Sequence, residues 1–189
     1  MPRGTPDTES DETLTLEAFA DTILPGAKRG PDDVSVAGHS HDAGSVEAGA
    51  LELLRTPATG LTSGLAEFVE LLNGHAERYA REHGLPTGGR LPSFVRLSFE
   101  DRTALVRALT SPGHPEKEFW VMLALFCNMA FDSAAHMSTP AAIAAGHPGL
   151  TAMGFAAPDP DGLLRFKEYS YGRPLARLHP DTTPSGSPA

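Results

Sequence analysis

The feature that most constrains the fold is the segment 118–155, where a nearly unbroken apolar run leads into a turn rich in Gly, His and Pro. The apolar run, residues 119–131, covers only about half to two-thirds of a membrane span and includes Asn128. Such a run is typical of a helix buried in a protein core. We therefore predict a central buried helix at about residues 116–137 and no insertion of the chain into a membrane.

The rest of the apolar pattern is also mostly helical. Apolar residues recur at helical spacing near 13–24, 45–54, 62–83 and 98–109, with short helices near 94–97 and after Pro140. A capping box with Asp in place of Glu, from Ser98 to Asp101, opens the segment 98–109. The predicted class is all-α, with about five or six helices around the central one and an irregular strap toward the C-terminus.

Length and composition set the domain organisation and exclude some partners. We predict one helical domain at residues 13–178, with disordered tails at 1–12 and 179–189, which are polar and contain proline. The net charge of −9 argues against a nucleic-acid partner. The single cysteine, Cys127, excludes an intramolecular disulfide and lies in the apolar run, so a buried thiol is expected. The N-terminal residues resemble neither a secretory nor a twin-arginine leader, so a cytoplasmic location is expected.

Three polar residues interrupt the apolar central helix. Asn128, Asp132 and His136 are each four positions apart, so a helix through 137 would place them along one face. Asp132 and His136 have the spacing of a base and the residue that orients it. The same spacing also suits a structural contact, in which the carboxylate satisfies buried donors. The seam is therefore predicted to be either structural or a ligand site.

A second constellation lies in the Gly-rich loop 26–44. His39 and His41 form an HxH pair that could bind a transition metal if Asp132 and His136 supplied further ligands. A solvated loop is the other interpretation, and it is the one we adopt. No nucleotide, flavin or phosphate motif is present. We therefore predict no catalytic residue, no metal and no cofactor site on this chain, with a stand-alone, metal-dependent enzyme or a small-molecule-binding helical protein as the alternatives.

The C-terminal third carries a group of residue types that are common in protein interfaces. Tyr169, Tyr171 and Arg173 lie in an irregular, Gly- and Pro-containing stretch. Tyrosine and arginine are enriched among the residues that dominate binding energy. These three are predicted to anchor a partner, and the other interpretation is that the tyrosine rings belong to the core.

Several motifs together resemble the gluconate 2-dehydrogenase subunit 3 family. They are the leading helix that ends in Ile-Leu-Pro (residues 16–26), the PxF…L…R…L pattern (92–109), the aromatic-rich central helix, and the H-P-x-L-x-x-M-G-F turn (147–155). The likeness extends over roughly residues 14–175. The high content of Ala, Gly and Pro is also similar to that of actinobacterial proteins.

The resemblance implies a function through a partner. Members of that family are small helical subunits that accompany a large flavoprotein of the glucose-methanol-choline oxidoreductase type. The resemblance thus implies a non-catalytic accessory subunit that stabilises or activates a flavin-dependent enzyme acting on a hydroxyl-bearing substrate. It also implies that FAD is bound by the partner and not by this chain.

Overall fold

The computed structural model describes residues 6–28, 30 and 33–155, with side chains from Ser10 onward. Helices make up the regular structure of this part, which contains no β-strand, and the predicted all-α class is confirmed. There are more helices than the predicted five or six, because several are only one turn long. They are α1 Pro6–Ile23, α2 Ala50–Leu54, α3 Leu65–Glu82, α4 Ser93–Arg96, α5 Phe99–Leu109, α6 Lys117–Ser133, α7 Thr139–Ala144 and α8 Pro148–Ala152.

An aromatic cluster joins α1, α3, α4 and α6. Trp120 lies at its centre and is fully buried, with its ring centroid 5.3 Å from that of Phe68 and 6.5 Å from that of Phe19. Phe94 from α4 closes the cluster at 6.4 Å from Phe19. Rings at these separations pack at tilted or edge-on angles, which favours the aromatic quadrupoles. The start of α6 is therefore fixed in the core.

Cys127 is one of the side chains that hold the middle of α6 in the same core. It is fully buried, and burial raises the pKa of its thiol to about 12. The thiol therefore stays protonated and behaves as a small apolar side chain, as the sequence predicted.

The first helix is longer than predicted. It begins at Pro6, inside the segment expected to be disordered, rather than at a cap on Thr13 or Thr15. Arg55, just after α2, contacts α1 about two turns after its start, with its Nη2 atom 2.6 Å from Thr13 Oγ1 and 3.7 Å from a carboxylate oxygen of Glu12. Contacts from a distant residue thus hold the helix at the point where the sequence pattern predicted it to begin.

The central helix is shorter than predicted. It ends at Ser133, because Ala134 adopts a left-handed backbone with φ of 50° and ψ of 44°. Ala134 is buried with Ala142 and Leu150 in a small second cluster between the end of α6 and α7–α8. A left-handed conformation is strained for alanine. Burial in this cluster offsets that strain. Because the cluster is formed by residues outside the helix, the apolar pattern of the helix alone did not predict its end and indicated a helix through residue 137.

The long loop 26–44 is held against the end of α1. Backbone N–H groups of Val36 and Ala37 donate to the last two carbonyl oxygens of α1 over 3.3 and 2.8 Å, and that of Ser40 donates to Pro25 just beyond the helix over 3.2 Å. Its described residues thus satisfy the last carbonyls of that helix, which would otherwise lack partners. The loop also leads to Gly49, the residue before α2, which has a left-handed φ of 88°. The helix α2 therefore begins at Ala50, later than the predicted start at residue 45.

Candidate functional site

The outward side of α6 combines exposed apolar and polar side chains. Leu125 is 55% exposed and Met129, one turn later, is 40% exposed, with Met122 half-buried beside them. The opposite side of the helix is fully engaged in the core. We call the outward set the α6 outer face, and it comprises Glu118, Met122, Leu125, Asn128, Met129 and Asp132. The central helix is therefore buried along one side and exposed along this face.

Two of the three predicted seam residues lie on the α6 outer face and bond to each other. The Nδ2 atom of Asn128 donates to Oδ2 of Asp132 over 2.8 Å, and both side chains are half-buried. His136 does not continue this line, because the helix ends three residues earlier. The predicted single row of three polar residues is therefore wrong in its last member.

His136 instead packs on the backbone at the start of α2. A Cβ atom built on Gly49 would lie 2.5 Å from both Cε1 and Nε2 of the imidazole, so only glycine fits there. Nδ1 is buried and has no hydrogen-bond partner among the described residues. Burial lowers the pKa of His136, His147 at a ring distance of 5.7 Å lowers it further, and Glu52 opposes both. His136 is therefore held as a neutral packing residue.

His147 belongs to the turn that resembles the subunit 3 motif, and its role is structural. Its Nδ1 atom accepts from the backbone N–H of Leu150 at the start of α8, over 3.3 Å. Nε2 must then carry the proton, and it donates to the carbonyl oxygen of Ala48 over 2.9 Å. At the other end, the N–H of Phe155 returns to the carbonyl of Leu150 over 2.9 Å. The motif caps α8 and ties its start to the backbone just before α2.

The histidine pair of the long loop is not joined by the other predicted ligands. His39 and His41 are both exposed, and His39 borders a small hollow with Lys28 and Asp33. Within residues 6–28, 30 and 33–155, no group of three or more His, Cys, Asp or Glu side chains is arranged to hold a metal ion. The set of His39, His41, Asp132 and His136 is thus not brought together.

A cluster around Glu116 was not predicted. Its Oε2 atom accepts from Trp120 Nε1 over 2.9 Å and lies 2.8 Å from Nε2 of His75 on α3. His114 accepts from the backbone N–H of Glu116 over 3.2 Å. The Trp120 indole N–H and then His75 lower the pKa of the Glu116 carboxyl, although burial opposes them. This carboxylate ties α3 to the start of α6.

The predicted partner anchors lie outside the described residues. Tyr169, Tyr171 and Arg173 all follow Phe155, so their surroundings do not enter the description of the site. None of the helices in the described part is both long enough and apolar enough to cross a membrane.

Comparison with known families places the chain in one of them. A family described as "Family of unknown function (DUF5987)" matches residues 10–189. The chain belongs to this family. No curated protein and no solved structure matches the chain. The DUF5987 match includes α6 and the capped turn at His147, but it assigns no activity, so the resemblance to gluconate 2-dehydrogenase subunit 3 stays a hypothesis.

The DUF5987 chain is expected to lose stability in acid through Glu116. A carboxyl whose pKa is lowered by folding contributes stability that is fully present above its unfolded pKa of about 4.3. That contribution to stability is lost as the pH falls through the lower pKa of the carboxyl in the folded state. Wild type should therefore be more stable than Glu116→Gln at neutral pH, and the gap should narrow below about pH 4.

Urea unfolding at neutral pH and below about pH 4 measures the stability difference between wild type and Glu116→Gln, with Glu118→Gln as the control. Glu118 is an exposed acid two positions later on the same helix and has no hydrogen bond within the described part. A gap for Glu116→Gln that stays constant with pH would show that ionisation of Glu116 does not stabilise the fold.

Proposed function

We propose that this chain is a non-catalytic accessory subunit that binds a flavin-dependent oxidoreductase acting on a hydroxyl-bearing substrate and keeps it soluble or active. The observation that carries the proposal is the α6 outer face. Leu125 and Met129 are side chains that burial would stabilise by roughly 1.5–3 kcal/mol each, yet they face solvent on a helix whose other side is in the core. Apolar side chains exposed beside polar ones are typical of protein interaction surfaces, which supports the proposal.

The shape and chemistry of this face suit a protein better than a small molecule. Small-molecule sites are concave and mostly apolar. The α6 outer face is the flank of one helix, whereas hollows of about 310–400 Å³ lie on other elements. Methionine side chains such as Met122 and Met129 also adapt readily to a partner surface.

The flavoprotein is chosen as partner because of the family resemblance. Its motifs are the Ile-Leu-Pro end of α1, the pattern at 92–109, and the turn at 147–155. The last of these caps α8, which packs against the end of α6. FAD would then belong to the large partner, and this chain would supply a rigid docking helix.

The test is co-expression with a tagged flavoprotein of the glucose-methanol-choline type encoded beside this chain. We expect both chains to elute together from gel filtration, with the flavin absorbance retained by the large chain after the two are separated. Separate elution under all conditions would contradict the proposal. Flavin bound to the isolated small chain at near-unit stoichiometry would contradict it as well.

A further inference from the structure

The two ends of the α6 outer face carry acidic side chains. Glu118, Leu125 and Asp132 are spaced by seven residues, so they project from the same side of the helix with a drift of only about 20° per step. The two acids are 14 residues apart, counted from residue 118 to residue 132. At a rise of about 1.5 Å per residue, they bracket an apolar stripe roughly 21 Å long.

Neither acid is neutralised within the described part of the chain. Ion pairs between described residues include Arg55–Glu12, His75–Glu116, Arg81–Glu77 and Arg102–Asp21, and none of these involves Glu118 or Asp132. Asp132 has a hydrogen bond only from Asn128, and Glu118 has none from a described residue. The nearest cation in sequence, Lys117, is turned about 100° around the helix from Glu118.

We propose that the docking element of the partner is a basic amphipathic helix that lies along the α6 outer face. Its apolar side chains would cover Met122, Leu125 and Met129, and a Lys or Arg near each end would face Glu118 and Asp132. This inference rests on the proposed function, because it names the part of the partner that the accessory subunit recognises.

The loss of water from the carboxylates of Glu118 and Asp132 on binding favours a positively charged partner. An apolar partner that covered the stripe would remove water from the two carboxylates, and leaving them unpaired would disfavour binding. Basic residues at both ends remove that penalty and exclude neutral or acidic competitors. The net charge of −9 would also speed the encounter with a basic segment.

The bond from Asn128 makes Asp132 the better-ordered of the two acids. The Asn128 amide holds one carboxylate oxygen at 2.8 Å, and no described residue donates to the other oxygen. A side chain that is already fixed loses less conformational entropy when it pairs with a partner. Asp132 should therefore contribute more to binding than Glu118, whose exposed side chain has no described hydrogen bond.

A designed peptide tests the inference without the flavoprotein. The probe is a fluorescein-labelled amphipathic helix of about 20 residues, long enough to hold helical structure, with a leucine stripe and lysines about 14 residues apart. A matched peptide carries glutamates in place of the lysines. We expect the purified full chain to bind the lysine peptide about tenfold more tightly at about 0.05 M salt, and the difference to fall below about twofold at about 0.5 M salt.

Variants of the chain locate the effect. Asp132→Asn should weaken binding of the lysine peptide by about fivefold and Glu118→Gln by about twofold to threefold, as expected for charge pairs at the protein surface. Glu67→Gln, an exposed acid on α3, should leave the affinity unchanged. The inference would be overturned if the two peptides bound equally or if neither bound. It would also be overturned if Glu67→Gln weakened binding as much as Asp132→Asn.

Two other occupants of the face have their own signatures. A second copy of the chain would give a concentration-dependent dimer in sedimentation velocity that Leu125→Asp abolishes. Coverage by the chain's own residues would make Leu125→Asp lower the melting temperature of the isolated chain. Either result would overturn the inference. If the lysine peptide binds as expected but the flavoprotein does not co-elute, the proposed enzyme partner is wrong and the basic-helix surface is retained. If the flavoprotein co-elutes but the two peptides bind equally, the enzyme partner is retained and the basic-helix surface is wrong.

Discussion

Trp120→Ala is expected to lower the free energy of unfolding by about 4 kcal/mol, near the upper end for truncation of a large core side chain. Trp120 is fully buried between Phe19 and Phe68, so the substitution leaves a large cavity among rings that belong to three helices. It also removes the indole N–H that donates to Glu116. Chemical denaturation followed by circular dichroism measures the loss.

Leu91→Ala serves as the control for this truncation. Leu91 lies in the connection between α3 and α4 and is 51% exposed, so its loss should change the free energy of unfolding by less than about 0.5 kcal/mol. A loss below about 1 kcal/mol for Trp120→Ala would mean that the aromatic cluster does not form the centre of the core.

Gly149→Ala is expected to lower the free energy of unfolding by about 3 kcal/mol or more, because of overpacking against a rigid backbone. A Cβ atom at Gly149 would overlap the backbone carbonyl oxygen of Phe131. That oxygen belongs to α6 and cannot move without displacing the helix. The substitution should therefore separate α8 from α6 and release the turn that His147 caps.

The same substitution at Gly74 is the matched control, and it should change the free energy of unfolding in the opposite direction. Gly74 lies inside α3 and is exposed, and apart from its own helix backbone no atom lies within 4 Å of a Cβ built there. Gly74→Ala should raise stability by roughly 0.5–1 kcal/mol, because alanine is the better helix former. Thermal melts of the two variants make the comparison, and a stable Gly149→Ala variant would contradict the close docking of α8.

Local sequence signals predicted the elements whose causes are local. The stripe of α3 is buried where helical spacing placed it, at Leu65, Phe68, Leu72, Ala76 and Ala80. The cap of α5 is present as well, since the Ser98 hydroxyl oxygen accepts from the N–H of Asp101 over 3.1 Å. Both features depend on residues no more than a few positions apart, which is the range over which spacing and capping rules apply.

The features that sequence did not predict depend on distant residues. The end of α6 at Ala134 needs the cluster formed with α7 and α8, and the pairing of His75 with Glu116 spans 41 positions. The α6 outer face was concealed for a different reason. The polar residues Asn128 and Asp132 mark this side of the helix, but the apolar residues beside them, Leu125 and Met129, are of the type that predicts burial.

The most direct measurement of the central claim is the dissociation constant of the flavoprotein complex for Leu125→Asp beside Leu91→Asp. Both leucines are about half exposed, and they lie on different elements. If the α6 outer face binds the partner, Leu125→Asp should weaken the complex by at least tenfold, as expected for a residue worth more than about 1.4 kcal/mol, while Leu91→Asp changes it by less than about twofold. Both variants should melt like wild type. Equal affinities for the two variants would contradict the claim.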